Sequence, residues 1–440
     1  MIEGRAAIAA AVAADLVDRL GRGRVLTGDD AKRHCGLDPA SAGGPLVVAL
    51  ATCADHVEAI VKVGRLRHAP VLPRLRWPVA HPDEVKDALV ADLTGMLRAP
   101  AVDIGRQTVT VGVGVAVGMI DRCVRQARLC LRALPALDAA TPIGLLLAQG
   151  EPGELGLGQG SLADTLVGAE VVTGGGRLMR LGGAELLGGA PWIGAALGHP
   201  LGQWVGSEGR LAIACEVTLR LQPAPEVAWT GAQLPADRNG MLAAASVARA
   251  LIMAQLADTA LLTESAAAAT LDVRLCTWRG DDGPAVAAKA VAIAQRMGIL
   301  LAKPLAQTKR ERLGLELPLW PKHQPHRPSV DWRASWPELP GLYDLTTALY
   351  AEADQPPDRV WAFGCEGVRV RCTLAGRPEA HPLVLRAGLL LDAGAVPIGV
   401  GSLLRPVARD HLATSTKVLL AGLQRAWDPE SSLAAKTGLA

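Results

Sequence analysis

The chain has 440 residues, enough for two or three domains with cores of their own. Half of it is hydrophobic and its formal net charge is only +2, so neither nucleic acid nor an acidic membrane surface is indicated as a partner. No apolar run approaches the roughly 20 residues that span a bilayer. Ala6 to Ala14 is apolar, but Glu3 sits where a signal peptide would be basic, so a helix and a cytoplasmic location are expected. The eight cysteines contain no C-x-x-C pair and several sit in apolar runs, which points to reduced core thiols.

In chain order, Ile8, Val12, Leu16 and Leu20 recur four apart and predict a helix over residues 2–20. Residues 45–74 carry a β-α-β pattern: strand Pro45–Leu50, helix Asp55–Arg65 with Thr52 placed to cap it, and strand Ala69–Arg74. Gln107–Val115 alternates Thr with Val as a half-buried strand does, and Met119–Leu131 reads as a helix. Gly174–Gly176 is a hairpin turn. Gly206 and Gly209 bound a turn that runs into a strand, where Val217, Leu219 and Leu221 alternate with Glu216, Thr218 and Arg220 before Pro223 and Pro225. An Ala-rich helix is predicted over Met241–Leu262, a strand over Leu271–Trp278, and a helix over Ala285–Met297. Residues 304–340 are Pro-rich and hold Trp320, Trp332 and Trp336. A strand region at Trp361–Thr373 and a helix at His381–Leu391 follow. Asp428 with Pro429 ends a final helix.

Several of these stretches share wording with one family. Gly206-Ser207-Glu208-Gly209, with Leu211, Ile213 and Glu216 to Leu221, resembles the GSEGTLGIVTEVTLRL segment of FAD-linked oxidases and dehydrogenases. These form the vanillyl-alcohol oxidase / p-cresol methylhydroxylase superfamily, which includes D-lactate, glycolate and 2-hydroxyglutarate dehydrogenases. Residues 45–74, 91–135 and 158–225 are similar to the same family, and so is Leu423–Leu433. The resemblance implies an α+β fold: a two-lobed FAD-binding domain over residues 1–226, an α+β cap or substrate domain over 227–395, and a segment 396–440 returning to the flavin domain.

It also implies a cofactor, FAD, bound non-covalently. A tethering histidine has one nearby candidate, His81, whose context does not match. The flavin ring is expected against Gly206, Ser207, Gly209, Ala212 and Ile213, and the diphosphate near Arg74 and Gly144, with Gly160 and Asp164 as further contacts. Three motifs depart from the family. The glycine loop after Pro73-Arg74 is replaced by Leu75-Arg76-Trp77-Pro78, the second glycine of the Ile143-Gly144 pair is Leu145, and the histidine before Gly399 is Ile398. Arg74 or Arg76 would then supply by charge what a glycine loop supplies by amides. No catalytic base is assigned: none of the nine histidines stands in a recognisable motif, and His323 with His326 lacks a carboxylate partner for a metal. Arg279, Arg369, Arg371 and Arg405 are available for a carboxylate substrate.

Two functions follow. One is an FAD-dependent dehydrogenase or oxidase acting on a CH–OH donor, by family analogy a 2-hydroxy acid. The other is a non-catalytic relative retained as a structural or partner-binding subunit of a larger oxidoreductase complex. The second is motivated by losses that fall on ligand-facing motifs while packing motifs persist. It brings the expectation of a homo-oligomer or a hetero-complex with a redox partner, with the Trp-rich segment 318–340 as the contact surface.

Overall fold

The computed structural model describes the chain except for residues 1, 41–42, 80–81, 132–138, 151–161, 183–203, 266–267, 279–280, 307–328, 377, 399–411 and 434–440. Three sheets organise the described residues.

The first sheet grows from the β-α-β pattern. Its strands are β1 (Val25–Thr27), β2 (Val47–Leu50), β3 (Val71–Arg74) and β4 (Leu89–Asp92), in the order β1-β2-β4-β3. β2, β4 and β3 run parallel, and β1 is antiparallel to β2. Parallel strands are covered on both faces, which is why Val47-Val48-Ala49-Leu50 is apolar throughout rather than alternating. Helix α1 (Ile2–Leu20) buries Val12, Leu16 and Leu20, whereas Ile8 is exposed. Helix α2 (Gly28–His34) lies between β1 and β2, and α3 (Ala54–Leu66) connects β2 to β3, burying Val57, Ile60 and Val61. Thr52 does not cap α3. The cap position is Cys53, and the Thr52 amide donates to Nδ1 of His56 instead.

The second sheet is antiparallel. It joins β5 (Ala101–Asp103), β6 (Thr108–Gly112), β8 (Leu166–Thr173), β9 (Leu178–Gly182) and β10 (Ala212–Pro223) in the order β5-β6-β10-β8-β9. β10 is central, and Cys215, Val217, Leu219 and Leu221 point into the core it shares with the first sheet. Helix α4 (Val117–Gln126) ends earlier than the sequence predicts. Arg128 turns the chain at φ 55°, and β7 (Leu129–Leu131) pairs with Leu221–Pro223 of β10. Leu129 and Leu131 are thus buried by strand pairing, not by a helical face.

The third sheet has eight strands in the order β14-β11-β13-β12-β16-β17-β15-β18. They are β11 (Glu226–Leu234), β12 (Ala257–Glu264), β13 (Ala269–Thr277), β14 (Leu305–Ala306), β15 (Ser329–Ala334), β16 (Arg359–Gly364), β17 (Gly367–Thr373) and β18 (Val396–Ile398). The Ala-rich helix stops at Met253, and 257–262, expected to continue it, is strand β12. β12 lies between β13 and β16, with apolar partners on both faces, so it lacks the alternation that marks a half-buried strand. Helices Arg238–Met253, Gly283–Arg296 and Leu339–Glu352 share a second core with this sheet. Trp332 is fully buried there, and Trp336 stacks on Phe363, so these two tryptophans form no exposed patch. Trp320 lies outside the described residues.

β18 extends the large sheet, but Trp427 and Leu433 belong to the first core. Asp428 follows the helix Thr414–Trp427, and its two carboxylate oxygens accept from the amides of Ser432 and Leu433. The Val71 amide donates to Ser432 at 2.8 Å, which brings this turn against β3.

Candidate functional site

The glycine turn ahead of β10 is built on backbone packing. Gly206 and Gly209 have φ of 74° and 78°, and Glu208 between them is also left-handed at 53°. A Cβ on Gly209 would run into the ring of Pro73, so the turn lies directly on the end of β3. Helix α5 (Ile143–Gln149) holds it from the other side. The amides of Gly206 and Glu208 donate to the carbonyls of Leu147 and Ala148, at 2.8 and 2.9 Å. Both carbonyls belong to the last turn of the helix, and that of Leu147 also accepts from the Gly150 amide at 3.1 Å. Ser207 turns inward, and its Oγ donates to the Trp204 carbonyl at 2.6 Å. Trp204 is buried, and its Nε1 has no hydrogen-bond partner among the described residues. Ala212 and Ile213 are buried in β10 and pair with Thr173 and Val172.

The expected phosphate wall is different. Arg74 ends β3 and is buried; its guanidinium pairs with Glu84 at 3.1 Å and lies 5.8 Å from the Trp77 ring. Its Nε has no hydrogen-bond partner among the described residues. Leu75 then turns toward α5. A Cβ on Gly144 would stand 2.8 Å from Leu75 Cδ1 and 2.6 Å from Val113 Cβ. The Gly144 amide donates to the Val113 carbonyl at 2.9 Å, so it is not held out toward a ligand. Arg76 is exposed.

The structure therefore brings Arg74, Gly144 and the turn 206–209 together through their neighbours Pro73, Leu75, Leu147 and Ala148. Asp164 is exposed on the short turn Leu162–Thr165. Gly160, the Gly399–Pro406 motif, His81, His323, His326, Arg279 and Arg405 lie outside the described residues. Arg369 and Arg371 are described, and both are buried in ion pairs with Asp331. Their charge holds Asp331 below the usual carboxylate range against the opposing cost of burial. They are not free to meet a substrate carboxylate without giving up that pairing.

A second polar cluster has no local sequence signal. Asp92, at the end of β4, is 2% exposed and meets four groups. The Thr94 amide and hydroxyl reach Oδ1 at 2.8 and 2.6 Å. Trp77 Nε1 and His34 Nε2 reach Oδ2 at 3.0 and 2.6 Å. Trp77 comes from the loop that replaces the family's glycines, and the His34 ring meets it edge-on at 5.1 Å. Beside this cluster is a pocket of about 520 Å³, lined by residues that include Gly21, Arg24, His34, Thr52, Asp92 and Thr94. The Asp of v-D-L wording is visible in the sequence. Its histidine partner, 58 positions earlier, is joined to it only by the fold.

The turn 206–209, where a flavin ring is expected, is backbone-lined and backed by the buried Trp204, Ala212 and Ile213. The phosphate side lacks an amide cradle, and what it offers is the buried cation Arg74. Residues 45–182 match the model of an FAD binding domain. Among solved structures, p-cresol methylhydroxylase with substrate bound is similar with a TM-score of 0.75 and 14% identity, covering 97% of each chain. The 4-ethylphenol oxidase from Gulosibacter chungangensis, in its isoeugenol complex, gives 0.74 and 14%, over 98% of this chain and 97% of that one. Alkyldihydroxyacetonephosphate synthase gives 0.62 and 13%, over 88% and 76%. At these identities the likeness is one of fold, and it extends along nearly the whole chain. The α+β class with the fold of p-cresol methylhydroxylase is thereby established, and FAD is the cofactor of the matched domain. Among the described residues no helix is long and apolar enough to cross a membrane, and no group of histidine, cysteine and carboxylate side chains could hold a metal ion.

Proposed function

The chain carries an FAD binding domain within the fold of p-cresol methylhydroxylase, and from that premise we propose that it is an FAD-dependent oxidoreductase acting on a CH–OH donor. The observation that supports this reading is the turn Trp204–Arg210. Its amides, its left-handed residues and its contact with Pro73 are all organised, and the buried Trp204 Nε1 beside it is unpartnered. When bound, FAD supplies an acceptor for the electron pair of the oxidised carbon. The chain's own part is to hold and shield. Gly206 to Ile213 form the wall for the ring, and Arg74 offers the charge for the diphosphate. On this reading residues 227–395 are the substrate-covering domain, and 396–440 return to the flavin domain. A 2-hydroxy acid is the substrate class we propose, on family resemblance.

The test is spectroscopic. Purified protein is expected to show a flavin absorption band, to release the flavin into the supernatant on acid precipitation, and to bleach on anaerobic addition of a 2-hydroxy acid. Colourless protein that takes up no added FAD would overturn the reading.

One observation favours a second reading. Leu75 packs against Gly144, and the Gly144 amide is donated internally, so the phosphate wall is built as a packed surface. We propose as the alternative a non-catalytic subunit of a larger oxidoreductase, assembled with a redox partner or with a second copy. Sedimentation separates the two: a flavin-free assembly supports the alternative, and an active, flavin-loaded monomer excludes it.

A further inference from the structure

The third sheet ends on β18, and the chain reaches that edge through two short helices, Pro382–Leu385 and Ala387–Asp392. They bury Leu383 and Val384, and Ala387 and Leu390, but each is too short to hold itself. What starts the first of them is His381, which is 3% exposed. Its Nδ1 accepts from the Leu383 amide at 3.2 Å, the place that a Ser, Thr, Asp or Asn oxygen takes at most helix starts. A backbone N–H can only donate, so Nδ1 carries no proton. The other ring nitrogen meets Gln355 Oε1 at 3.1 Å. Gln355 has one orientation, because its Oε1 accepts from the Ala375 amide at 3.4 Å and its Nε2 donates to the Ala375 carbonyl at 3.3 Å. His381 Nε2 is therefore the protonated nitrogen, and the ring is neutral with both nitrogens in use.

A second proton on this ring has nothing to meet. Tyr350, from the helix Leu339–Glu352, stands edge-on to it with ring centroids 5.9 Å apart, and its hydroxyl reaches the carbonyls of Asp358 and Thr373 at 2.8 Å. Burial pushes that phenol above its ordinary value and the Cys372 thiol of β17 up to about 12, so both stay neutral. Arg359 is committed to Glu264, and Arg386 pairs with Glu352 at 2.8 Å. Glu379, Asp354 and Asp358, on the flanking turns, are exposed to water. Burial alone holds His381 below its ordinary value of 6.5. A proton on Nδ1 would set two N–H groups against each other at the helix start and leave a buried cation without a counter-charge.

We propose that His381 is an acid-sensitive latch: on taking up a proton it lets go of the Leu383 amide and frees residues 381–398, through β18, from the third sheet. The same stretch of chain leads on to the C-terminal helix, whose Trp427 lies in the first core, so the latch sets how firmly the end of the third sheet is tied to the rest of the molecule. It acts without cofactor or substrate. Released, the ring takes a proton near pH 6.5; held, it does so only at lower pH. The latch is therefore complete above about pH 6.5, and below it opening grows by up to about tenfold for each pH unit.

The experiment is hydrogen exchange of the full chain, read by mass spectrometry at about pH 7 and about pH 5.5 and corrected for the intrinsic rate. Peptides covering 381–398 are expected to lose about tenfold more protection at the lower pH than peptides covering Val217–Leu221 of β10. His381→Asn, which keeps a capping acceptor and cannot titrate, is expected to abolish that difference. His381→Leu, which has neither property, is expected to leave 381–398 weakly protected at both pH values. Near-UV circular dichroism checks that the variants are folded, and the exchange of the natural chain stands without them. Long-range proton–nitrogen spectra of 15N-histidine-labelled chain, with His381 assigned by its loss in either variant, are expected to show the Nε2–H tautomer at about pH 7. Equal protection of 381–398 at the two pH values, a fall that persists in folded His381→Asn, or an Nδ1–H tautomer would overturn the proposal.

Discussion

The turn Trp204–Arg210 and the loop Arg74–Val79 face the same region of the fold, and they were built by different means. The turn keeps its glycines, and its geometry is fixed by backbone: left-handed residues, amides given to α5, and a Pro73 contact that leaves no room for a side chain. The loop carries Leu75, Arg76 and Trp77, and its geometry is fixed by side chains: Leu75 against Gly144, Trp77 on Asp92, Arg74 on Glu84. The turn's amides at Gly206, Ser207, Glu208 and Arg210 are all donated within the protein, so what it presents is a close backbone surface, whereas the loop presents charge and apolar side chains. The comparison teaches that turn and loop meet through packing on β3 and α5, at Pro73 and Gly144, with no hydrogen bond between them among the described residues.

The comparison breaks most visibly at Gly209. Gly209→Ala places a methyl group on the Pro73 ring at a left-handed position, and is expected to cost about 2–3 kcal/mol and to abolish the flavin band. Thermal melting and the absorption spectrum of the same sample check both. Asp92→Ala comes next. It strips the partner from Trp77 Nε1 and from the Thr94 amide, at a cost of about 2 kcal/mol in a urea titration. The turn should be unaffected, so a variant that lost flavin and stability together would show that loop and turn are coupled after all.

How much of this was legible in the sequence follows the same division. Gly206, Gly209, Ala212 and Ile213 could be placed from wording alone, because backbone geometry of this kind is dictated by a few glycines at fixed spacing. The β-α-β pattern and α1 were likewise read correctly, their faces being set by Val12, Leu16, Val57 and Ile60. β7 and β12 were hidden inside predicted helices. Leu129–Leu131 and Ala257–Glu264 are strands because of what they pair with: β7 meets Leu221–Pro223, and β12, besides its neighbour β13, meets Arg359–Phe363 about a hundred positions later. The pairing of His34 with Asp92 was invisible for the same reason, as was the burial of Arg369 and Arg371 by Asp331.

Leu75 gives the sharpest comparison of loop and turn. Leu75→Ala removes the side chain that lies against Gly144, at a stability cost of about 1–2 kcal/mol for a half-buried leucine. FAD affinity, measured by fluorescence quenching of added flavin, is expected to tighten by about threefold to tenfold, since bare backbone is exposed again. Weaker binding would mean that Leu75 is itself part of the flavin wall.

The smallest effect concerns acid. Burial, and then the Arg24 charge, hold His56 below its ordinary value of 6.5 in the folded chain. The unfolded chain therefore takes up the proton more readily, so this contribution to stability is complete above about pH 6.5 and is lost as the pH falls below it. The urea midpoint of the natural chain should drop between about pH 7 and pH 5, and that part of the drop should shrink in His56→Asn. The backbone-built turn gains nothing from this substitution, so flavin retention across the same range should not change.

The turn after Asp428 has a consequence for how the molecule comes into being. β3 is the outer strand of the first sheet, and its free side is closed by residues 432–433, which are made some 360 positions after it on the ribosome. Until then Val71 presents an unpaired edge, an invitation to another chain's strand. The parallel strands β2, β4 and β3 can form early in synthesis, but the edge at Val71 is sealed only after residues 432–433 have been translated, and until then it is open to pairing with another chain.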